Sequence, residues 1–269
     1  MWTMLGWSEQ GRLHKKWQIP CQDKYCITEN EEVQAAALAD GAGSASFSHY
    51  GAEAVTKATC TWLCGNFDRI YTSDSCEDVR KELLNLLSLE LDQQVQSRDC
   101  NREDLASTLL AVGVKKDQYI ALHLGDGVIG YITDKKLGVL SEPLNGEFAN
   151  ETVFVTSENA VTSMKLFRGS LSDIKGFVLM TDGTGASLYR KKENELATAA
   201  NHLFWNCACG ENSAAQDNLK EAVKLFTKRT VDDCGIVIMT DQSSFVRANN
   251  GKEEGAPDGR SFQNNVEGS

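Results

Sequence analysis

Five aspartates in this chain stand where a short apolar stretch begins or ends. Leu38-Ala39 runs into Asp40-Gly41-Ala42-Gly43-Ser44, Leu124-Gly125 into Asp126-Gly127, and Met180-Thr181 into Asp182-Gly183-Thr184-Gly185. Asp232-Asp233 opens onto the apolar run 235–239, and Asp23 follows Pro20-Cys21-Gln22. An apolar run that stops at Asp-Gly reads as a strand ending in a tight turn. One such turn is ordinary; a whole set of them constrains the fold, because strands place side chains rigidly at their ends. Carboxylates gathered at one edge repel one another and raise their own pKa values. A hard divalent cation such as Mg²⁺ or Mn²⁺ relieves that repulsion. Two such ions about 3.5–4 Å apart are the device of many phosphatases.

The remaining pattern predicts strands at Val33–Ala39, Thr108–Val114, Tyr119–Leu124, Val128–Thr133, Val153–Val155, Phe177–Met180 and Gly235–Met239. Helical spacing covers His49–Phe67, Val79–Val95 (with Ser75 as N-cap), Leu188–Phe204 and Ala214–Lys228. Stretches of consecutive strands separate pairs of helices. That order argues against βαβ alternation and for an α+β protein, with two stacked antiparallel β-sheets flanked by helices in an α-β-β-α sandwich. Residues 1–242 read as one catalytic domain. Residues 243–269 are rich in Gly, Asn, Ser and charge and read as a flexible tail.

Charge narrows the function. With 27 Lys+Arg against 38 Asp+Glu the net charge is −11, which argues against a nucleic-acid binder. No apolar stretch is long enough to span a membrane, and the N-terminus lacks the charged and apolar regions of a secretory signal. Nine cysteines at irregular spacing, with four scattered histidines, do not make a zinc site; they read as mostly reduced, buried thiols of a cytoplasmic protein. Trp2, Trp7, Trp17, Phe204 and Trp205 read as packing aromatics, and His123 as a hydrogen-bonded structural histidine.

The motifs together resemble the metal-dependent protein serine/threonine phosphatases of type 2C, in their compact bacterial form. Ala39-Asp40-Gly41-Ala42-Gly43-Ser44 resembles the first Asp-Gly motif and Gln22-Asp23 the acidic pair ahead of it. Ala106-Ser107-Thr108 resembles the Ser-Thr strand, Leu124-Gly125-Asp126-Gly127 the Gly-Asp strand end, Leu179–Gly183 the second Asp-Gly motif, and Asp232-Asp233 the closing motif. The resemblance implies two Mg²⁺ or Mn²⁺ ions, with a weaker third. Asp40 would bridge two ions, the Gly41 carbonyl would bind one, and Asp182 and Asp232 would complete the shell of the second ion. Asp23 would act through metal-bound water, and Asp126 would serve the third ion with Asp182. The implied reaction is direct hydrolysis of phosphoserine or phosphothreonine by a metal-bridging hydroxide, on phosphoproteins made by a cognate serine/threonine kinase.

The chain departs from that pattern where relatives carry a phosphate-binding Arg before the acidic pair. Here the stretch is Gly11-Arg12-Leu13-His14-Lys15-Lys16-Trp17-Gln18, so Arg12, His14, Lys15 or Lys16 would have to supply the charge. Asp233 stands where many relatives have Asn, and either ligates metal or caps the strand. A catalytically weak binding module of the same fold and a small-molecule phosphoesterase are the alternative functions. Substrate choice is expected in residues 133–174, including Lys135-Lys136.

Overall fold

Ala35, Ala37 and Ala39 point one way along a single strand and Ala36 and Leu38 the other, and both sets are buried. Two-sided burial of that kind needs a layer above and a layer below. The computed structural model describes residues 2–134, 137–144, 152–209 and 212–242. In chain order it holds β1 (Trp2–Glu9), α1 (Arg12–Trp17), β2 (Lys24–Glu29), β3 (Gln34–Ala39), α2 (Ser48–Thr72), α3 (Cys76–Arg98), β4 (Leu109–Lys115), β5 (Gln118–Leu124), β6 (Val128–Thr133) and β7 (Leu137–Ser141). There follow α4 (Ala160–Ser163), β8 (Lys165–Ser170), β9 (Ile174–Met180), α5 (Asp182–Leu188), β10 (Tyr189–Arg190), β11 (Glu195–Leu196), α6 (Thr198–Cys209), α7 (Asn212–Phe226) and β12 (Cys234–Asp241).

Two five-stranded antiparallel sheets result, ordered β1-β12-β9-β6-β7 and β2-β3-β4-β5-β8. Leu38, Leu110, Val112, Phe177, Leu179, Val237 and Met239 fill the space between them. On the outer face of the second sheet, Ala35, Ala37, Leu109, Ala111 and Leu122 pack beneath α2 and α3. On the outer face of the first, Val178, Met180, Ile236 and Ile238 pack beneath α6 and α7. The α-β-β-α sandwich expected from the sequence is therefore the fold observed.

Ser75 caps α3 as expected, its side chain accepting the Asp78 N–H at 3.1 Å. Four expectations are corrected. Val153–Val155 is not a strand; both valines are buried, but Val155 N–H makes one ladder-like bond, to the Ser107 carbonyl. The helix expected over Leu188–Phe204 is broken by the β10–β11 hairpin, whose charged turn puts Asn194 at φ 51°. Trp17 is not a packing residue: it is 59% exposed, whereas Trp2 is buried against Phe177. The cysteines are less buried than expected. None of the eight described is in a disulfide, but only Cys60, Cys207 and Cys234 are buried. Segment 133–174 supplies an edge strand to each sheet, β7 and β8; Lys135-Lys136 and the tail from residue 243 lie outside the described residues.

Helix α2 lies close to the loop before β4. A Cβ on Gly51 would stand 1.9 Å from the Leu105 carbonyl oxygen, a backbone atom with little room to yield. Helix propensity alone favours Gly51→Ala by about 1 kcal/mol. The contact should reverse the sign, and we expect thermal denaturation of G51A to show a Tm lowered by roughly 5 °C. An unchanged or higher Tm would contradict the packing described.

Candidate metal-dependent active site

Strand register brings the aspartates to one end of the sandwich. Lys24 pairs with Ala39, Leu109 with Leu124, and Met180 with both Val128 and Ile236. Hence the start of β2, the end of β3, the β5–β6 turn, the end of β9 and the start of β12 all open in the same direction. Asp40, Asp126, Asp182 and Asp232 line one cavity of about 250 Å³, together with Gly41, Thr108, Thr152, Phe154, Leu13, His14 and Trp17. Asp23 is 1% exposed and lies behind that wall. Lys15 and Lys16 do not reach the cavity; both are exposed, and Lys15 Nζ pairs with Glu9 at 2.5 Å. Arg12 Nε bonds the Thr230 carbonyl instead.

Hydroxyls and backbone amides fix the acids in place. Asp40 N–H donates to Thr108 Oγ1 at 2.9 Å while Thr108 N–H donates to the Asp40 carbonyl at 2.8 Å. Gly125, at φ 111°, sits against Thr108; a side chain there would be strained and would clash. Its carbonyl accepts from His123 Nε2 at 2.9 Å, and His123 Nδ1 meets Ser141 Oγ at 2.6 Å. Burial pushes that imidazole down to about 3, so His123 is neutral and structural, as expected. Gly235 N–H donates to Thr181 Oγ1, which in turn donates to Asp23 Oδ2 at 2.8 Å. Thr152 Oγ1 donates to Asp126 Oδ2 at 2.7 Å.

Asp233 turns away from the cavity. Its carboxylate accepts the backbone N–H of Gly11 and of Gln22, each at 2.6 Å, and stands 2.9 Å from His14 Nδ1. It thus ties the N-terminal segment to β12 and lies beside His14, a role that is neither of the two that sequence left open. Thr181 and Thr108 stood inside recognised motifs without an assigned task. Thr152, across a segment outside the described residues, had no sequence signal at all.

The cluster is electrostatically strained. Burial, then the neighbouring Asp233, pushes Asp23 well above the ordinary carboxylate range. Burial, then Asp23, does the same to Asp40. Asp182, at the solvent-facing rim, is pushed up to about 6 by desolvation and then by Asp126 and Asp232, against a lowering hydrogen bond with Asp40. Asp23 Oδ1 is buried with no hydrogen-bond partner. An all-oxygen donor set with an orphaned carboxylate oxygen fits a hard divalent cation. Among the described residues no three Asp, Glu, His or Cys side chains close on one point as a ligand cage. An ion such as Mg²⁺ habitually keeps several waters and needs only one or two carboxylates, which suits so open an arrangement.

Residues 10–224 match the family model described as Protein phosphatase 2C. The chain is 25% identical over 254 residues to Serine/threonine-protein phosphatase 3 of Escherichia coli (strain K12), a match covering 86% of this chain and 95% of that protein. Its fold is similar to that of serine/threonine phosphatase Stp1 from Staphylococcus aureus, with TM-score 0.61 at 15% identity over 90% of this chain and 95% of that one. It is also similar to the S. agalactiae serine/threonine phosphatase, with TM-score 0.58 at 17% identity over 89% and 99% of the two chains.

Protein freed of divalent ions should be stabilised by Asp23→Asn. Folded Asp23 holds its proton more tightly than an unfolded carboxyl of pKa 3.8, so the cost of ionising it begins above about pH 4 and grows with pH. In EDTA the Tm of D23N should therefore exceed that of the parent at about pH 8 by a few °C, and the gap should close as the pH falls toward 4. A gap that is absent, or that does not change with pH, would contradict the strain inferred.

Proposed function

This chain belongs to the protein phosphatase 2C family, and we propose that it hydrolyses phosphoserine and phosphothreonine esters on proteins with Mg²⁺ or Mn²⁺ bound at the acidic end of the sandwich. The observation that carries this reading is the convergence of four carboxylates, from four separate strand ends, on one cavity. Asp40, the Gly41 carbonyl, Asp182 and Asp232 would hold two ions, with Asp23 behind them; Asp126 with Asp182 would hold a weaker third. Bound ions supply an activated water and neutralise charge on the phosphoryl oxygens.

The chain's own residues do the rest. Thr108 holds the Asp40 backbone, and the Gly235–Thr181–Asp23 relay holds the buried acid, so the ligands are set before any ion arrives. His14 is the one basic side chain among the described residues lining the cavity, and Asp233 orients it. It takes the place of the missing Arg as the group facing the substrate phosphate, with Lys15 and Lys16 contributing only a diffuse positive field.

The cavity favours a protein substrate. At about 250 Å³ it falls below the roughly 300–1,000 Å³ of pockets that enclose small organic ligands. It admits a phosphoryl group while the rest of the substrate lies outside, where exposed Trp17 offers apolar surface beside the mouth. The reaction is expected to be cytoplasmic and to oppose a cognate serine/threonine kinase.

Hydrolysis of a phosphothreonine peptide should require Mn²⁺ or Mg²⁺ and stop in EDTA, and Asp40→Asn should lower kcat/KM on the order of a hundredfold or more. Metal-independent turnover, or full activity in D40N, would reject the reading; Mn²⁺ binding by calorimetry without turnover would point to a binding module instead. Trp17→Ala should raise KM for the peptide several-fold while leaving p-nitrophenyl phosphate hydrolysis unchanged. Equal effects on both substrates would favour a small-molecule phosphoesterase.

A further inference from the structure

Three thiols meet away from the acidic cavity, where the edge strand β2 lies under α2. Cys26 is half-buried on the helix-facing side of β2, beside Ala37 of β3. Cys60 and Cys64 lie one turn apart on the inward face of α2. The Cys60 thiol, fully buried, donates to the Cys26 carbonyl at 3.4 Å. Cys64 instead directs its sulfur to the Thr28 and Val33 carbonyls, at 3.9 and 4.0 Å. Cys26 Sγ is also 3.6 Å from Thr28 Oγ1.

We propose that Cys26 is a site of oxidation by hydroperoxides, and that Cys60 resolves the product to a Cys26–Cys60 disulfide. The placement divides the roles: the half-exposed sulfur on the edge strand can be reached by a small oxidant, and the buried one beside it cannot. Electrostatics divides them the same way. The adjacent Cys60 thiol, against the opposing effect of burial, and then Thr28 and the nearby Lys57 ammonium, hold the Cys26 thiol down to about 6. The same contact, with burial, pushes Cys60 well above its ordinary value. A thiolate is the nucleophile that peroxides oxidise, and a neutral thiol beside it is placed to condense with the product.

The chemistry balances without any group from the acidic cavity. The Cys26 thiolate attacks one oxygen of the hydroperoxide; an S–O bond forms, the O–O bond breaks, and the alcohol departs with a proton. The sulfur loses two electrons and the peroxide gains them. Cys60 sulfur then attacks the sulfenic sulfur; the S–S bond forms, the S–O bond breaks, and hydroxide leaves with the Cys60 proton as water. Two thiols and one hydroperoxide become one disulfide, one alcohol and one water. This inference stands whether or not the phosphatase reading does.

The test is to treat the full chain with stoichiometric hydrogen peroxide at about pH 6, with dimedone present, and to map the products by peptide mass spectrometry. At that pH the thiolate fraction of Cys26 outweighs the lower intrinsic reactivity of a low-pKa sulfur, so it should react roughly tenfold or more faster than a free thiol. The parent protein should yield a Cys26–Cys60 disulfide. C60A should instead trap dimedone on Cys26, and C26S should give neither product. If C60A does not fold, the mapping in the parent and C26S decides alone. Oxidation spread evenly over Cys21, Cys76 and Cys100, or a disulfide from Cys26 to Cys64 in place of Cys60, would overturn the proposal.

Discussion

Repulsion among carboxylates at one end of the sandwich is the constraint around which the rest of the molecule is arranged. Left free, such side chains would swing apart into water. Here they are held by backbone register and by hydroxyls that carry no charge, Thr108 accepting the Asp40 backbone N–H and Thr181 donating to the Asp23 carboxylate. Hydroxyls orient a carboxylate without neutralising it, so the strain persists in the folded chain and is available to a bound cation. The three apolar layers beneath supply the stability that tolerates this cost.

The sequence was readable wherever burial was two-sided. Strands β3, β4, β5, β6, β9 and β12 occupy the middle of the two sheets, and each shows as an apolar run. Within these two sheets the four strands not anticipated, β1, β2, β7 and β8, are the four edges. Their residues are mostly half-exposed, so polar positions interrupt the hydrophobic signal and nothing in composition separates them from loops. A false strand at Val153–Val155 arose for the converse reason: its valines are buried in the apolar cluster that includes α2 and α3, not by a ladder.

The same logic governs the site. Asp40, Asp126, Asp182 and Asp232 border central strands, so they were legible from chain order. The groups that hold or complement them depend on contacts distant in sequence. Asp233 reaches Gly11 and Gln22 more than two hundred positions away, and only the folded chain shows that it faces inward and positions His14. Trp17 read as a packing aromatic from its residue type alone, although its neighbours Lys15, Lys16 and Gln18 are polar. The short helix α1 has no buried residue, and that leaves the indole at the cavity mouth.

Strand β12 sits between β1 and β9, with Trp2 opposite Asp241 along the full length of the first pairing. Until β12 is made, β1 has no strand to pair with and its sheet lacks an interior member. Loop closure over so long a span is entropically slow, and the unpaired edges it leaves are sticky. During synthesis on the ribosome the chain therefore carries an unfinished sheet until β12 emerges. Asp232, which enters on that final strand, is the last of the clustered acids to arrive, so completion of the fold and assembly of the site are the same event.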